Sequence, residues 1–164
     1  MSNDIKVHRL DASEALANAA GLAEVLTDCV QGGASVSFMS PLPQAKALEF
    51  WHSVAEGVAR GERVLLVARD GAHRIVVTVQ IITAMPDNQP HRADIAKMLV
   101  HRSVRRQGVA QRLMQAVETA AREAGKTVLV LDTVTGGDAE RLYERAGWQR
   151  VGSIPNYALM PDGA

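Results

Sequence analysis

Residues 104–114 read VRRQGVAQRLM, directly after the strand-like Leu99-Val100 and directly before a long amphipathic run. A chain that turns from strand to helix at such a point can hold an anion with its own backbone. The first N–H groups of a helix have no intrahelical acceptor, and the macrodipole places partial positive charge beside them. A phosphate seated there accepts several N–H bonds at once. Gly108 removes the Cβ that would keep a ligand away from the backbone, and Ala110 keeps the first turn small. Arg105 and Arg106, with Arg112 further on, offer charge-assisted bonds. The same residues also make an ordinary helix start with solvated arginines, and spacing alone supports both readings. The chain has no GxxxxGK[ST] and no GxGxxG after its first strand, so neither a P-loop nor a Rossmann dinucleotide site is indicated.

Other residue types able to do chemistry are sparse. Cys29 is the only cysteine, and its place late in an alanine-rich helix reads as structural. The five histidines form neither HxxxH nor HxH, so no metal site is expected. Tyr143 shares an apolar helical stripe with Ala139, Leu142 and Ala146, which points to core packing. Asp94 begins one β-like run and Asp132 ends another; a carboxylate at a strand end is commonly a solvated terminus or a cap. If the strand is regular, Asp94 lies on the same face as Met98 and Val100. GGAS at 32–35 is either a helix-breaking turn or a loop facing a ligand.

These residues must be positioned by elements legible in the periodicity. Ile5–Leu10 alternates as a short strand, and Asp11 and Ser13 supply N-cap chemistry for one helix running to about Val30. Pro41 and Pro43 open a second helix, on which Leu48, Trp51, Val54, Ala55 and Val58 recur at helical spacing. Residues 63–70 and 73–85 read as a hairpin about Gly71-Ala72, and 92–101 as a third β run. A helix spans about Gly108 to Ala124, with Ala110, Leu113, Met114, Val117, Ala121 and Ala124 as its apolar stripe. TVLVLDT (127–133) is nearly all apolar, as a strand buried on both faces would be. A short helix follows Gly136-Gly137, and WQRVGS (148–153) reads as a final short strand. The order β-α-α-β-β-β-α-β-α-β is a mixed α/β or α+β arrangement over residues 1–164, expected to be one domain.

Bulk composition agrees. Hydrophobic residues make up 47% and charged residues 22%, with 18 basic side chains against 18 acidic. A zero formal charge argues against a general nucleic-acid or membrane-surface binder. No run approaches the roughly 20 apolar residues that span a bilayer. The N-terminal stretch shows no secretory signal, and a single cysteine fits a reducing compartment, so a cytoplasmic location is expected.

The junction Arg105-Arg106-Gln107-Gly108-Val109-Ala110 resembles the R/Q-x-x-G-x-G/A signature of the GNAT family of N-acetyltransferases. KMLVHRSV before it, a long helix after it, and LDT followed by LYERAGW at the family's distances extend the resemblance over about residues 5–153. GGASVSFM, RADIAKMLV and LDT…LYERAGW together resemble the tabtoxin-resistance branch of antibiotic-type acetyltransferases. The resemblance implies a central, mostly antiparallel twisted sheet with a splayed parallel strand pair, flanked by about four helices. It implies acetyl-CoA as cosubstrate, with the pyrophosphate on the amides of Arg106 to Ala110 and the pantetheine arm along Met98, Leu99 and Val100. Family members carry a further strand paired with the WQRVGS element; here the chain reads on through SIPNYALMPDGA, so that strand is expected to be absent or short. A sheet edge left open there would favour a homodimer.

The resemblance also implies roles at the thioester. Tyr143 matches a tyrosine that donates to the CoA sulfur, and Asp132 and Asp94 match functional acids. One acid would bind the acceptor ammonium and the other remove its proton, with Asp132 the first choice. A backbone N–H near Leu99 or Val100 would polarise the carbonyl. The implied activity is transfer of acetyl to the amine of a small molecule, such as an amino-acid-like antibiotic or toxin, by direct attack in a ternary complex. The competing reading is a non-catalytic acyl-CoA-binding sensor or interaction module.

Overall fold

The computed structural model describes residues 4–164; the first three residues, where the stretch read for a signal begins, lie outside that range. The elements run β1 (Lys6–Leu10), α1 (Ala12–Ala17), α2 (Ala19–Gln31), α3 (Gln44–Ala59), β2 (Arg63–Arg69), β3 (Ile75–Ile82), β4 (Arg92–Val100), α4 (Val109–Glu123), β5 (Val128–Val130) and α5 (Asp138–Arg145). A 3-10 turn, Arg102–Val104, joins β4 to the glycine junction. The strands form one sheet in the order β1-β2-β3-β4-β5, antiparallel except for the parallel pair β4–β5. Among the described residues, no helix is long and apolar enough to cross a membrane.

Strand alternation divides the core in two. Val64, Leu66 and Ala68 of β2 face α4, where they meet Val109, Leu113, Met114 and Val117. Leu65 and Val67 face α2 and α3, packing with Leu22, Leu26, Trp51 and Val54. Both faces of β2 and β3 are therefore covered, which accounts for their largely apolar sequence; Thr78 and Gln80 of β3 are the buried polar exceptions.

Three local expectations are corrected. The first helix is two helices that meet at Asn18, whose Nδ2 donates to the Glu14 carbonyl at 2.7 Å while its Oδ1 accepts from Arg69 at 3.2 Å. Its N-cap is Asp11, in a reciprocal capping box with Glu14; Ser13 takes no part. TVLVLDT is not buried on both faces: only three residues form β5, and Val128 and Val130 are each 43% exposed. Leu129 and Leu131 pack on the α4-side cluster, whereas the face carrying Val128 and Val130 is left open by the described residues. WQRVGS is not a strand. Side chains hold that segment instead: Trp148 lies against Tyr143 with ring centres 6.0 Å apart, and Arg150 reaches Glu140 at 3.4 Å and Ser153 at 2.6 Å. Further on, the Pro161 carbonyl accepts the Ser40 N–H at 2.8 Å, bringing the chain back to the loop between α2 and α3.

Candidate functional site

The junction between β4 and α4 is built as an N–H turn. Arg106 and Gly108 both adopt left-handed backbone, at φ +62° and +75°. Alternating hands in successive residues turn neighbouring N–H groups toward one side, as in anion-binding nests. A Cβ on Gly108 would meet nothing within 4 Å, so glycine is required for its dihedral and the space beside it is open. The Gly108 carbonyl accepts from Arg112, the first such bond of α4. The N–H groups of Val109, Ala110 and Gln111 precede that bond and have no acceptor among the described residues.

The arginines act differently from the reading of the sequence. Arg105 folds back: its Nε donates to the Val100 carbonyl at 3.4 Å, and its guanidinium lies 3.2 Å from where a Cβ on Gly32 would sit. Arg112 donates to the Ile5 carbonyl at 3.3 Å. Arg106 is exposed, with no hydrogen bond or ion pair to a described side chain, and Gln107 donates to the Ser103 carbonyl at 3.3 Å. The turn thus offers backbone N–H groups first and the Arg106 charge second.

Asp28, buried on α2, holds this turn in place. Its carboxylate accepts the Arg102 backbone N–H at 3.0 Å and the Arg102 guanidinium, with His101 Nε2 at 3.7 Å. Burial alone would raise the Asp28 pKa; the Arg102 bonds and the His101 charge outweigh it and hold the carboxyl below its ordinary value.

The parallel ladder between β4 and β5 covers Arg92–Asp94 and Val128–Val130 and then stops. Among the described residues, the β5-facing edge of β4 is consequently without a ladder partner from there to Val100, the stretch that leads into the N–H turn. An extended chain can pair with an edge of this kind.

A β-bulge then changes which side chains share a face. Gln80 pairs with Ala96 but Thr78 with Leu99, so β4 carries one extra residue there, and Lys97 sits at φ +54°. Ala93 and Ile95 face α4, as do Met98 and Val100 beyond the bulge, while Leu99 faces α2 and α3. Asp94 therefore lies on the opposite face from Met98 and Val100, contrary to the regular alternation. Its carboxylate is bound by Arg92 of the same strand, and Arg92 is in turn held by Gln89 at 2.7 Å.

Asp132 stands just beyond β5, exposed, with no hydrogen bond or ion pair to a described residue. Tyr143 is buried on α5, and its hydroxyl has no hydrogen bond to a described residue. Burial, reinforced by the Asp132 charge, pushes the phenol up to about 12. Lys97 also feels Asp132, so the three groups share one electrostatic environment. Lys97 Nζ donates to Ser37 Oγ at 2.9 Å, linking the bulge to the GGASVSFM loop.

The family model described as Acetyltransferase (GNAT) family matches residues 33–148, the stretch that contains α3, the four strands β2 to β5, the N–H turn and Tyr143. The chain belongs to the GNAT acetyltransferase family. An uncharacterized N-acetyltransferase from the hisH-hisA intergenic region of Azospirillum brasilense is 30% identical over 132 residues, covering 79% of this chain and 75% of that protein. Among solved structures, an N-acetyltransferase from Staphylococcus aureus Mu50 superposes with a TM-score of 0.78 at 14% identity, over 97% of this chain and 92% of the other. The structure of yncA from Salmonella typhimurium with its cofactor acetyl-CoA gives 0.76 at 16% identity, over 95% and 86%. At these identities the structures speak for the fold.

Within this GNAT chain, the residue that sequence reasoning missed is Lys97. Regular alternation makes it one more side chain of β4, and the bulge that re-aims it carries no glycine or proline. Its partner Ser37 lies in the loop just beyond GGAS. Cys29 is structural, as expected: it is buried, its Sγ donates to the Val100 carbonyl at 3.4 Å, and burial pushes the thiol up to about 11.

Proposed function

We propose that this GNAT chain transfers the acetyl group of acetyl-CoA to the amine of a small, amino-acid-like molecule, by direct attack within a ternary complex. The observation that carries this reading is the open edge of β4, which runs into the N–H turn at Arg106–Ala110 with Tyr143 and Asp132 beside it. The N–H groups without an acceptor and the open space at Gly108 fit a pyrophosphate. Met98, Leu99 and Val100 present the edge along which a pantetheine arm would pair, and a nearby backbone N–H would polarise the thioester carbonyl. When bound, acetyl-CoA supplies the activated acyl group.

The chain's own residues supply proton handling. Asp132, a free carboxylate, takes up the acceptor ammonium and accepts its proton, directly or through water. Tyr143 keeps its proton at any physiological pH and donates a hydrogen bond to the departing sulfur. Free cysteine thiols titrate near ~8.5, so full transfer from a phenol near 12 is uphill in water. Desolvation raises a thiol as well as a phenol and narrows that gap. A buried Cys29, with its thiol held protonated, does not serve as an acyl carrier. The amino-acid-like acceptor rests on the resemblance to the tabtoxin-resistance branch.

Two measurements test the proposal. Titration calorimetry should give micromolar acetyl-CoA binding, weakened by changes at Gly108. A thiol-release assay across small amines should then show acceptor-dependent turnover. Binding without release for any amine would leave a sensor and remove the transferase.

A further inference from the structure

We infer that Lys97 and Ser37 form an anion subsite, so that the acceptor carries a carboxylate beside the amine that is acetylated. This rests on the transferase reading above and concerns the same cleft.

Both partners of the Lys97–Ser37 hydrogen bond are held in left-handed backbone, at φ +54° and +76°, a conformation that costs a non-glycine residue about 1–2 kcal/mol. Such outliers collect where a side chain must be aimed. Ser37 is anchored by its neighbour: Phe38 packs edge-on against Phe50 at 5.2 Å, and Phe50 against Trp51 at 5.1 Å.

Lys97 has charged neighbours of both signs, Asp132 and Arg63, but an ion pair with neither. Its only hydrogen-bond partner is a neutral hydroxyl, and no carboxylate lies within 4.0 Å of its ammonium among the described residues. Arg63, close enough to act on it electrostatically, also has no ion pair; Arg63 donates to Gln80 Oε1 at 2.8 Å and packs against Gly57. Gln80 sits opposite Ala96, next to the bulge. On this α2/α3 side, the nitrogens Arg63 Nε, Gln80 Nε2 and Trp51 Nε1 are buried donors with no described acceptor. Buried donors are normally paired, and a half-buried ammonium gains most from an anion. Unpaired donors thus collect around Lys97, and Asp132, a carboxylate with no ion pair to a described residue, acts on it from nearby. A zwitterion matches that pattern, with its ammonium toward Asp132 and its carboxylate toward Lys97.

The test uses the full chain saturated with acetyl-CoA and pairs of acceptors that differ only in charge: amino acids against their carboxamides. The carboxylates should be preferred by about 10- to 100-fold in kcat/KM, the range of one charge-assisted hydrogen bond. Lys97→Met should remove that preference chiefly through KM, and Lys97→Arg should restore part of it. A readout independent of turnover is calorimetry of N-acetylglycine against N-acetylglycinamide on the CoA-saturated protein, where only the carboxylate should bind measurably and only with Lys97 present. Equal use of both pair members, or a preference that survives Lys97→Met, would overturn the subsite and leave the transferase intact. Acetyl-CoA binding without thiol release from any pair would remove the transferase reading and the subsite with it.

Discussion

Asp28, on α2, accepts a hydrogen bond from the backbone N–H of Arg102 at 3.0 Å, across 74 residues of chain. The bond ties the far end of a helix to the first residues after β4, so the N–H turn is anchored from outside its own element. The Arg102 guanidinium and His101 surround the same carboxylate. Asp28→Ala removes an acceptor that is only 9% exposed and leaves the Arg102 N–H without its partner. We expect a loss of about 1–3 kcal/mol, with Tm falling about 2–4 °C for each kcal/mol. Acetyl-CoA affinity should fall as well, because the turn loses its support. Thermal melts and calorimetry on one sample would check both.

The same carboxylate gives a pH dependence of defined sign. Its folded pKa lies below the ordinary 3.8, so between the two values the unfolded chain binds more protons. Stability from this group is complete above the unfolded value and is lost as pH falls through the folded one. The wild-type advantage over Asp28→Asn should therefore hold at neutral pH and shrink on acidification below about 4. Denaturant unfolding at pH 6 and pH 3 would show it; a difference that grows in acid would contradict it.

Gly108 and Gly61 separate strain from function. They share nearly the same backbone, φ +75° and +71°, and a Cβ on either would meet nothing within 4 Å. Alanine at each should cost a similar amount, about 1–2 kcal/mol, through the dihedral alone. Gly108 begins the N–H turn, whereas Gly61 closes α3 before β2. Only Gly108→Ala should weaken acetyl-CoA binding, by about tenfold or more if one N–H bond to an anion is lost. Equal weakening by both would mean that general destabilisation, and not the turn, governs affinity.

What was legible in the sequence follows the reach of each signal. Helical spacing placed α3 and α4 to within a residue or two because their apolar stripes are local and continuous. The turn at Gly108 was legible because a glycine among basic residues stands where a strand-like run gives way to a helical one, although its left-handed backbone was not foreseen. The bulge was not, since Lys97 takes a left-handed conformation without being glycine, held by the ladder on both sides and by Ser37. Hydropathy predicted that β5 packs on both faces, but apolar content cannot report whether another layer lies over the second face. Asn18 divides the first helix through a bond to Arg69 of β2, a tertiary contact with no local signature. Arg105 and Arg112 were read for their charge, yet carbonyls of distant segments claim them.

The resemblance puts Asp132 narrowly ahead of Asp94, and the surroundings of the two carboxylates differ in the same sense. Asp94 is on the other face from Met98 and Val100 and is paired with Arg92. Asp132 is unpaired and acts on both Tyr143 and Lys97. Asp132→Asn should lower turnover by about 100-fold or more, the typical contribution of a positioned base, with acetyl-CoA affinity nearly unchanged. Asp94→Asn should leave turnover within a few-fold, since that half-buried carboxylate is already engaged by Arg92 on the face away from Met98 and Val100. Steady-state thiol release, with calorimetry as the binding control, decides between them. A large loss in Asp94→Asn with Asp132→Asn near wild type would reverse the assignment and place the base on the α2/α3 side of β4.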